Sequence, residues 1–329
     1  MSDLGTAEKS RIAEPVVAET GRRNAGSRDA ESRDAGRNAQ SGAAERNALS
    51  GAAERNAMTV DVEDYFQVGA FAATISRADW DSLPRRVECN TDRTLEMFSD
   101  CGASATFFTL GWVAERHPEL IRRIVDAGHE LASHGHSHVR VDHQSEDEFR
   151  ADAGRSRRLL EDTAGVAVTG YRAASFSIGR TTPWAHRVLA EEGYRYSSSV
   201  NPIRHDHYGM PDAPRFAFRP DGDDGVVELP MTTVRLFGRN LPCSGGGFFR
   251  LMPYALFQSA VRRFIRVDAN PAIFYFHPWE IDPDQPRPGG LSAKARFRHY
   301  LNLDRMECRL RRLLADFDWG RMDRVFNVG

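Results

Sequence analysis

Lysine is almost missing from this chain of 329 residues: Lys9 and Lys294 are the only two, so arginine carries nearly all of the positive charge. Cysteine is scarce too. The four, at 89, 101, 243 and 308, are widely scattered and form no CxxC, which argues against a zinc ribbon and a disulfide scaffold and for reduced thiols. No uncharged stretch approaches the roughly 18 apolar residues of a membrane span. The first residues lack a basic segment followed by an apolar run of about 7 to 15, so no secretory signal is read and a cytoplasmic location is expected. Neither sign of charge is in excess: 44 Lys plus Arg face 46 Asp plus Glu, and a formal charge of −2 offers no global field for nucleic acid. What remains is 41% hydrophobic residues, enough for one large domain or two small ones.

The first 57 residues contain no Phe, Tyr or Trp and carry nine acidic and nine basic side chains. Such a segment buries too little apolar surface to offset its ordering entropy, so a disordered tail is expected over 1–57. It includes a nine-residue tandem repeat, Ser41 to Leu49 and Ser50 to Met58, whose period matches no solenoid class. Met58 is an alternative starting residue, because everything resembling a domain follows it.

From Met58 onward, short apolar runs alternate with amphipathic stretches. Ala105 to Gly111 reads as a buried strand. Pro118 to Ala127 reads as a helix with Leu120, Ile121, Ile124 and Val125 on one face, and His129 to His134 reads as the next strand. The rhythm continues with helices near 146–163, 183–192 and 253–266 and strands near 168–171, 226–229 and 272–276. Six or seven such units predict an α/β fold, a closed or distorted (β/α) barrel, and no glycine-rich dinucleotide fingerprint follows any strand.

Three segments carry candidate chemistry. Asp61-Val62-Glu63-Asp64 gathers three carboxylates at a strand's C-terminal end, with Asp61 and Glu63 on one side and Asp64 opening the loop; a solvated loop or a helix N-cap is the competing reading. His134-Gly-His-Ser-His138 puts two imidazoles four apart, able to share one metal if the segment enters a helical turn, with His136 pointing elsewhere. Two imidazoles and one carboxylate leave positions for water, as a catalytic metal requires. His277 ends a late apolar strand and suits a general acid, against a core histidine satisfied by a carbonyl. Arg172, after another strand end, suits bidentate orientation of a carboxylate. Ser244-Gly-Gly-Gly-Phe-Phe249 reads as a flexible turn, and Phe248, Phe249 and Trp279 are candidates for stacking on sugar rings, with core packing as their competing fate.

Together these segments resemble the polysaccharide deacetylases with a NodB-type domain, carbohydrate esterase family 4. The resemblance covers most of residues 58 to 285. Asp61-Val-Glu-Asp-Tyr-Phe, Phe276-His-Pro-Trp-Glu and the tail to about 326 look like the branch associated with exosortase and exopolysaccharide loci. It implies a distorted (β/α) barrel of the NodB type over 58–329, with a family-specific extension from about 230. It also implies a divalent metal, zinc first, held by His134, His138 and either Glu63 or Asp64, with Asp61 as general base. Parity favours Glu63, side-chain type favours Asp64. Arg172 keeps the third motif's arginine, although that motif loses its proline, and His277 matches the acid histidine without an identified partner near Tyr196-Ser-Ser-Ser199.

The chemistry implied is removal of N-acetyl groups from N-acetylhexosamine units of an exopolysaccharide or its lipid-linked precursor. The altered first and third motifs motivate a rival, a sugar-binding or scaffolding relative without turnover. A non-haem Fe(II) oxygenase is a further alternative, though such sites draw their histidines from separated positions.

Overall fold

The computed structural model describes residues 56–205 and 208–329. The tail expected over 1–57 lies outside them except for Asn56 and Ala57, which open the first strand and are buried.

Among the described residues, eight short strands form one curled parallel sheet, in the path β10 (Trp319–Gly320), β1 (Asn56–Val62), β2 (Thr106–Thr109), β3 (Glu130–Ser133), β4 (Gly170–Tyr171), β5 (Tyr196–Ser197) and β6 (Val227–Glu228), with β9 (Ile273–Phe276) also paired to β1. This is the α/β fold that the alternating rhythm predicts, with the expected closed or distorted barrel present as a half-barrel. The register puts Val62 opposite Thr109, Thr109 opposite Ser133 and Ser133 opposite Tyr171. Four strands therefore end at one level, and the residues just beyond them share one rim. A separate antiparallel hairpin, β7 (Thr233–Leu236) and β8 (Arg239–Pro242), lies outside the alternating strand–helix rhythm.

Local signals explain the elements that hold this sheet. Helix Pro118–Asp126 starts on its proline and buries Leu120, Ile121 and Ile124, while Gly128 at φ 84° turns the chain into β3. Helix Glu146–Ala164 is closed at its start by a reciprocal Ser145/Glu148 capping box and at its end by left-handed Gly165. Among the described residues no helix is long and apolar enough to cross a membrane.

The end of the sheet away from the rim holds a buried carboxylate. Glu130 accepts hydrogen bonds from Tyr196 Oη (2.7 Å), Thr106 Oγ1 (2.5 Å) and the Asp323 N–H (3.1 Å). Burial, aided by the Asp323 charge, raises its pKa from an ordinary 4.5 to about 7. A raised carboxyl stabilises the fold fully below 4.5 and loses that contribution as pH rises through about 7. Glu130→Gln has no proton to lose: its amide oxygen can accept from Thr106 Oγ1 and the Asp323 N–H, while its NH2 group donates to Tyr196 Oη. Its stability relative to the parent is expected to rise between pH 5 and 8, by on the order of 3 kcal/mol. Denaturation midpoints at the two pH values check this; a pH-independent difference between the two proteins would contradict it.

Candidate functional site

Glu63 follows the last residue of β1 and His134 the last residue of β3, so the sheet register alone brings them to the rim. His138 arrives differently from the sequence expectation. Residues 134–138 form no helical turn; Gly135 (φ 74°) and His138 (φ 51°) are both left-handed and bend the loop back on itself. Glycine is needed here twice over, since a Cβ at 135 would also stand 2.8 Å from Asp152 Oδ2, which accepts the His136 N–H at 2.9 Å. The bend points His136 away, to Glu115 at 3.1 Å.

One carboxylate oxygen of Glu63 and one ring nitrogen each of His134 and His138 lie within 4.8 Å of one another, and all three residues are buried. His134 Nδ1 sits 2.8 Å from the Arg172 carbonyl oxygen, to which it can only donate, so Nε2 keeps its lone pair for the rim. Glu63 Oε2 is 2.8 Å from His138 Nε2, yet it has no hydrogen-bond partner: the two atoms lie side by side without donor alignment. A buried carboxylate oxygen left so is costly, and a cation at the point where these lone pairs converge removes the cost. Two nitrogens and one carboxylate fit a divalent metal with positions left open. Burial alone would raise the Glu63 carboxyl, but the neighbouring imidazoles of His138 and His277 outweigh it and hold it down to about 2. Burial lowers His134 to about 4, keeping it neutral as a ligand must be.

Asp64, offered with Glu63 as a metal carboxylate, is placed elsewhere. It falls on the other side of the strand end and accepts the N–H groups of Tyr65 (2.9 Å), Arg86 (2.7 Å) and Val87 (3.0 Å). It thereby satisfies the start of helix Val87–Cys101, whose own N-cap residue Arg86 makes no side-chain cap. Burial pushes its pKa up to about 6.

Asp61 shares the Glu63 side, and its Oδ1 accepts from Arg172 Nη1 at 2.6 Å. The contact is not the bidentate pair expected from sequence. The Arg172 fork is spread over Asp61, Thr59 Oγ1 (2.8 Å), Ser198 Oγ (3.1 Å) and the Ser198 carbonyl (3.1 Å), with Phe108 under the guanidinium at 4.0 Å. Arg172 is wholly buried, so this set fixes one carboxylate oxygen and leaves Asp61 Oδ2 for other work.

His277 follows the last residue of β9 and reaches the same rim, its Nε2 3.2 Å from Glu63 Oε1. Its partner, which the sequence reading does not identify, is Glu280, one short helical turn on: Oε1 lies 2.8 Å from His277 Nδ1, and Oε2 accepts from buried Arg250 Nε at 2.7 Å. The His-Pro-Trp-Glu spacing is the one signal that could have found Glu280, since Pro278 starts a turn that puts i and i+3 on one side. Burial favours neutral His277, but Glu63 and Glu280 outweigh it and raise the imidazole to about 9. Trp279 cannot stack on a sugar as suggested. It is 5% exposed and sandwiched between His277 and His299, with centroids at 5.2 and 4.3 Å. Phe249 is likewise in the core, against Phe257 and Phe274, whereas Phe248 is half-buried.

Comparison with known proteins follows the same segments. The family described as Polysaccharide deacetylase matches residues 78–197, and a domain of unknown function (DUF3473) matches residues 198–327. The chain is 31% identical to a peptidoglycan deacetylase of Helicobacter pylori over 113 residues, 34% of this chain and 38% of that protein. It is 27% identical to a chitooligosaccharide deacetylase of Bradyrhizobium sp. over 147 residues, 45% of this chain and 60% of that protein. It thus spans less than two thirds of either relative. In fold it is similar to a crystal structure from Mycobacterium smegmatis designated a polysaccharide deacetylase, with a TM-score of 0.55 and 22% identity over 84% of this chain and 91% of that one.

Proposed function

We propose that this chain, a member of the polysaccharide deacetylase family, is a metal-dependent hydrolase that removes N-acetyl groups from N-acetylhexosamine units of an exopolysaccharide or its lipid-linked precursor. The observation that carries the reading is the convergence of Glu63, His134 and His138 on one point, with a buried Glu63 oxygen left without an aligned hydrogen-bond donor. Two imidazole nitrogens and one carboxylate suit zinc first.

A divalent ion in this site supplies Lewis acidity toward an amide carbonyl and lowers the pKa of water. The chain's own residues supply the rest. Asp61, with Oδ1 tied to Arg172, accepts the proton of the attacking water on its free oxygen. His277, held protonated between Glu63 and Glu280, delivers a proton to the departing amine, which would otherwise be a very poor leaving group. Arg172 holds the base, and Glu280 holds the acid.

Membership of the branch associated with exosortase and exopolysaccharide loci rests on Asp61-Val-Glu-Asp-Tyr-Phe and Phe276-His-Pro-Trp-Glu, and the domain, expected over 58–329, is taken from Asn56, where β1 begins, with a family-specific portion from about 230. A cytoplasmic location is supported by four unpaired cysteines. The test is metal analysis of the purified protein together with acetate release from defined N-acetylhexosamine oligomers. Bound divalent metal is expected, with acetate release lost to a chelator and restored by zinc. A metal-free protein that binds the oligomers and releases no acetate would instead be the scaffolding relative.

A further inference from the structure

Residues 229–267 break the charge balance of the rest of the chain: they contain six arginines and no Asp or Glu. The β7–β8 hairpin lies within this stretch. Its root is fixed beside the site, since Met231 Sδ lies 3.8 Å from Arg172 Nη2, Thr232 Oγ1 accepts the Ile273 N–H at 2.7 Å, and Asn240 donates to the Pro202 carbonyl at 2.8 Å. Its tip is not covered. Strand alternation places Val234, Leu236 and Leu241 on one face, so an apolar stripe leaves the core at buried Val234 and continues outward through Leu241 (44% exposed) and Leu236 (40%) to Phe237 (93%).

The turn itself is unusual in composition. Phe237 and Gly238 both have positive φ, 48° and 74°, as a two-residue hairpin turn of the Asn-Gly kind requires. A bulky side chain is strained in the left-handed region, and at 93% exposure no burial within the chain offsets that strain. Flanking the tip, Arg235 and Arg239 are exposed and make no ion pair among the described residues. The same pattern extends beyond the hairpin: of nine large apolar side chains exposed among the described residues, seven lie between 236 and 297.

A soluble polyanion would satisfy the arginines and leave the apolar stripe in water. An anionic bilayer takes both, with Phe and Leu at the boundary between headgroups and acyl chains and Arg at the phosphates. We infer that the hairpin tip, through Leu236, Phe237, Leu241, Arg235 and Arg239, docks this protein on an anionic phospholipid surface. The inference does not depend on the catalytic reading.

Flotation of the full chain with vesicles tests it. Binding is expected to vesicles containing phosphatidylglycerol and not to phosphatidylcholine alone, and it should weaken with added salt. Phe237→Asn installs a residue the turn prefers, so the thermal midpoint should hold or rise while vesicle affinity falls about tenfold. The double variant Arg235→Gln/Arg239→Gln should lose about 25-fold, near fivefold per arginine. Acetate release from a soluble oligomer should be unchanged in Phe237→Asn. Failure of the parent to float with anionic vesicles would overturn the inference, as would undiminished flotation of Phe237→Asn. Equal binding of the parent and Phe237→Asn to soluble dextran sulfate, without flotation, would assign the arginines to a polyanion instead.

Discussion

Asp61→Asn is expected to lower turnover by about 10²- to 10⁴-fold while the protein keeps its metal, whereas His134→Ala removes metal and activity together. The two residues are buried neighbours on one rim, so proximity does not separate them; their hydrogen bonds do. Asp61 spends one oxygen on Arg172 and is not among the residues whose lone pairs converge with Glu63. Asn retains an oxygen for Arg172, so the geometry survives and only the proton-accepting oxygen is lost. His134, by contrast, has its Nδ1 committed to the Arg172 carbonyl and offers Nε2 alone. Metal content by emission spectrometry and kcat on an oligosaccharide give the two readings independently. Equal metal loss in both variants would make Asp61 a ligand and leave the base to be found elsewhere.

The parts of this site that depend on strand parity were legible before any coordinates. Period-2 alternation puts Asp61 and Glu63 on one side and Asp64 on the other, and the strands that deliver His134 and His277 are short, apolar and bounded by turn signals. Features that depend on loop torsions were not. Nothing in His-Gly-His-Ser-His distinguishes a helical turn from a loop with two left-handed residues, and both bring positions 134 and 138 together. Ser244 to Phe249 reads as a flexible turn from its permissive glycines, but close approach is the reason for them. Gly245 lies beside β9 through a bridge to Tyr275, and a Cβ on Gly246 would stand 2.3 Å from Glu280 Oε1. These glycines let the helix Gly246–Leu251 carry Arg250 under Glu280, a contact across 30 residues that no local pattern announces.

That contact sets up the second large effect. Glu280→Gln is expected to destabilise the fold by about 3–5 kcal/mol, because Arg250 is buried and loses its counter-charge. The same change should lower kcat about 10- to 100-fold, the usual cost of removing the group that orients a reacting side chain. A structural role alone would explain the first loss and not the second, so the two must be separated. At a temperature where the variant is fully folded by circular dichroism, a purely structural Glu280 would leave kcat at the parent value. If Glu280 holds the proton of His277, the deficit persists and the basic limb of the pH–rate profile moves. Its sign follows from the charges: Glu63 and Glu280 together raise the imidazole to about 9 against the effect of burial, so removing one lowers the pH at which the acid form is lost. A profile that keeps its basic limb in place while kcat falls would mean that Glu280 positions the ring without setting its charge. An unchanged kcat in the folded variant would leave Arg250 and Glu280 as a buried ion pair of the fold and His277 without a partner in the reaction.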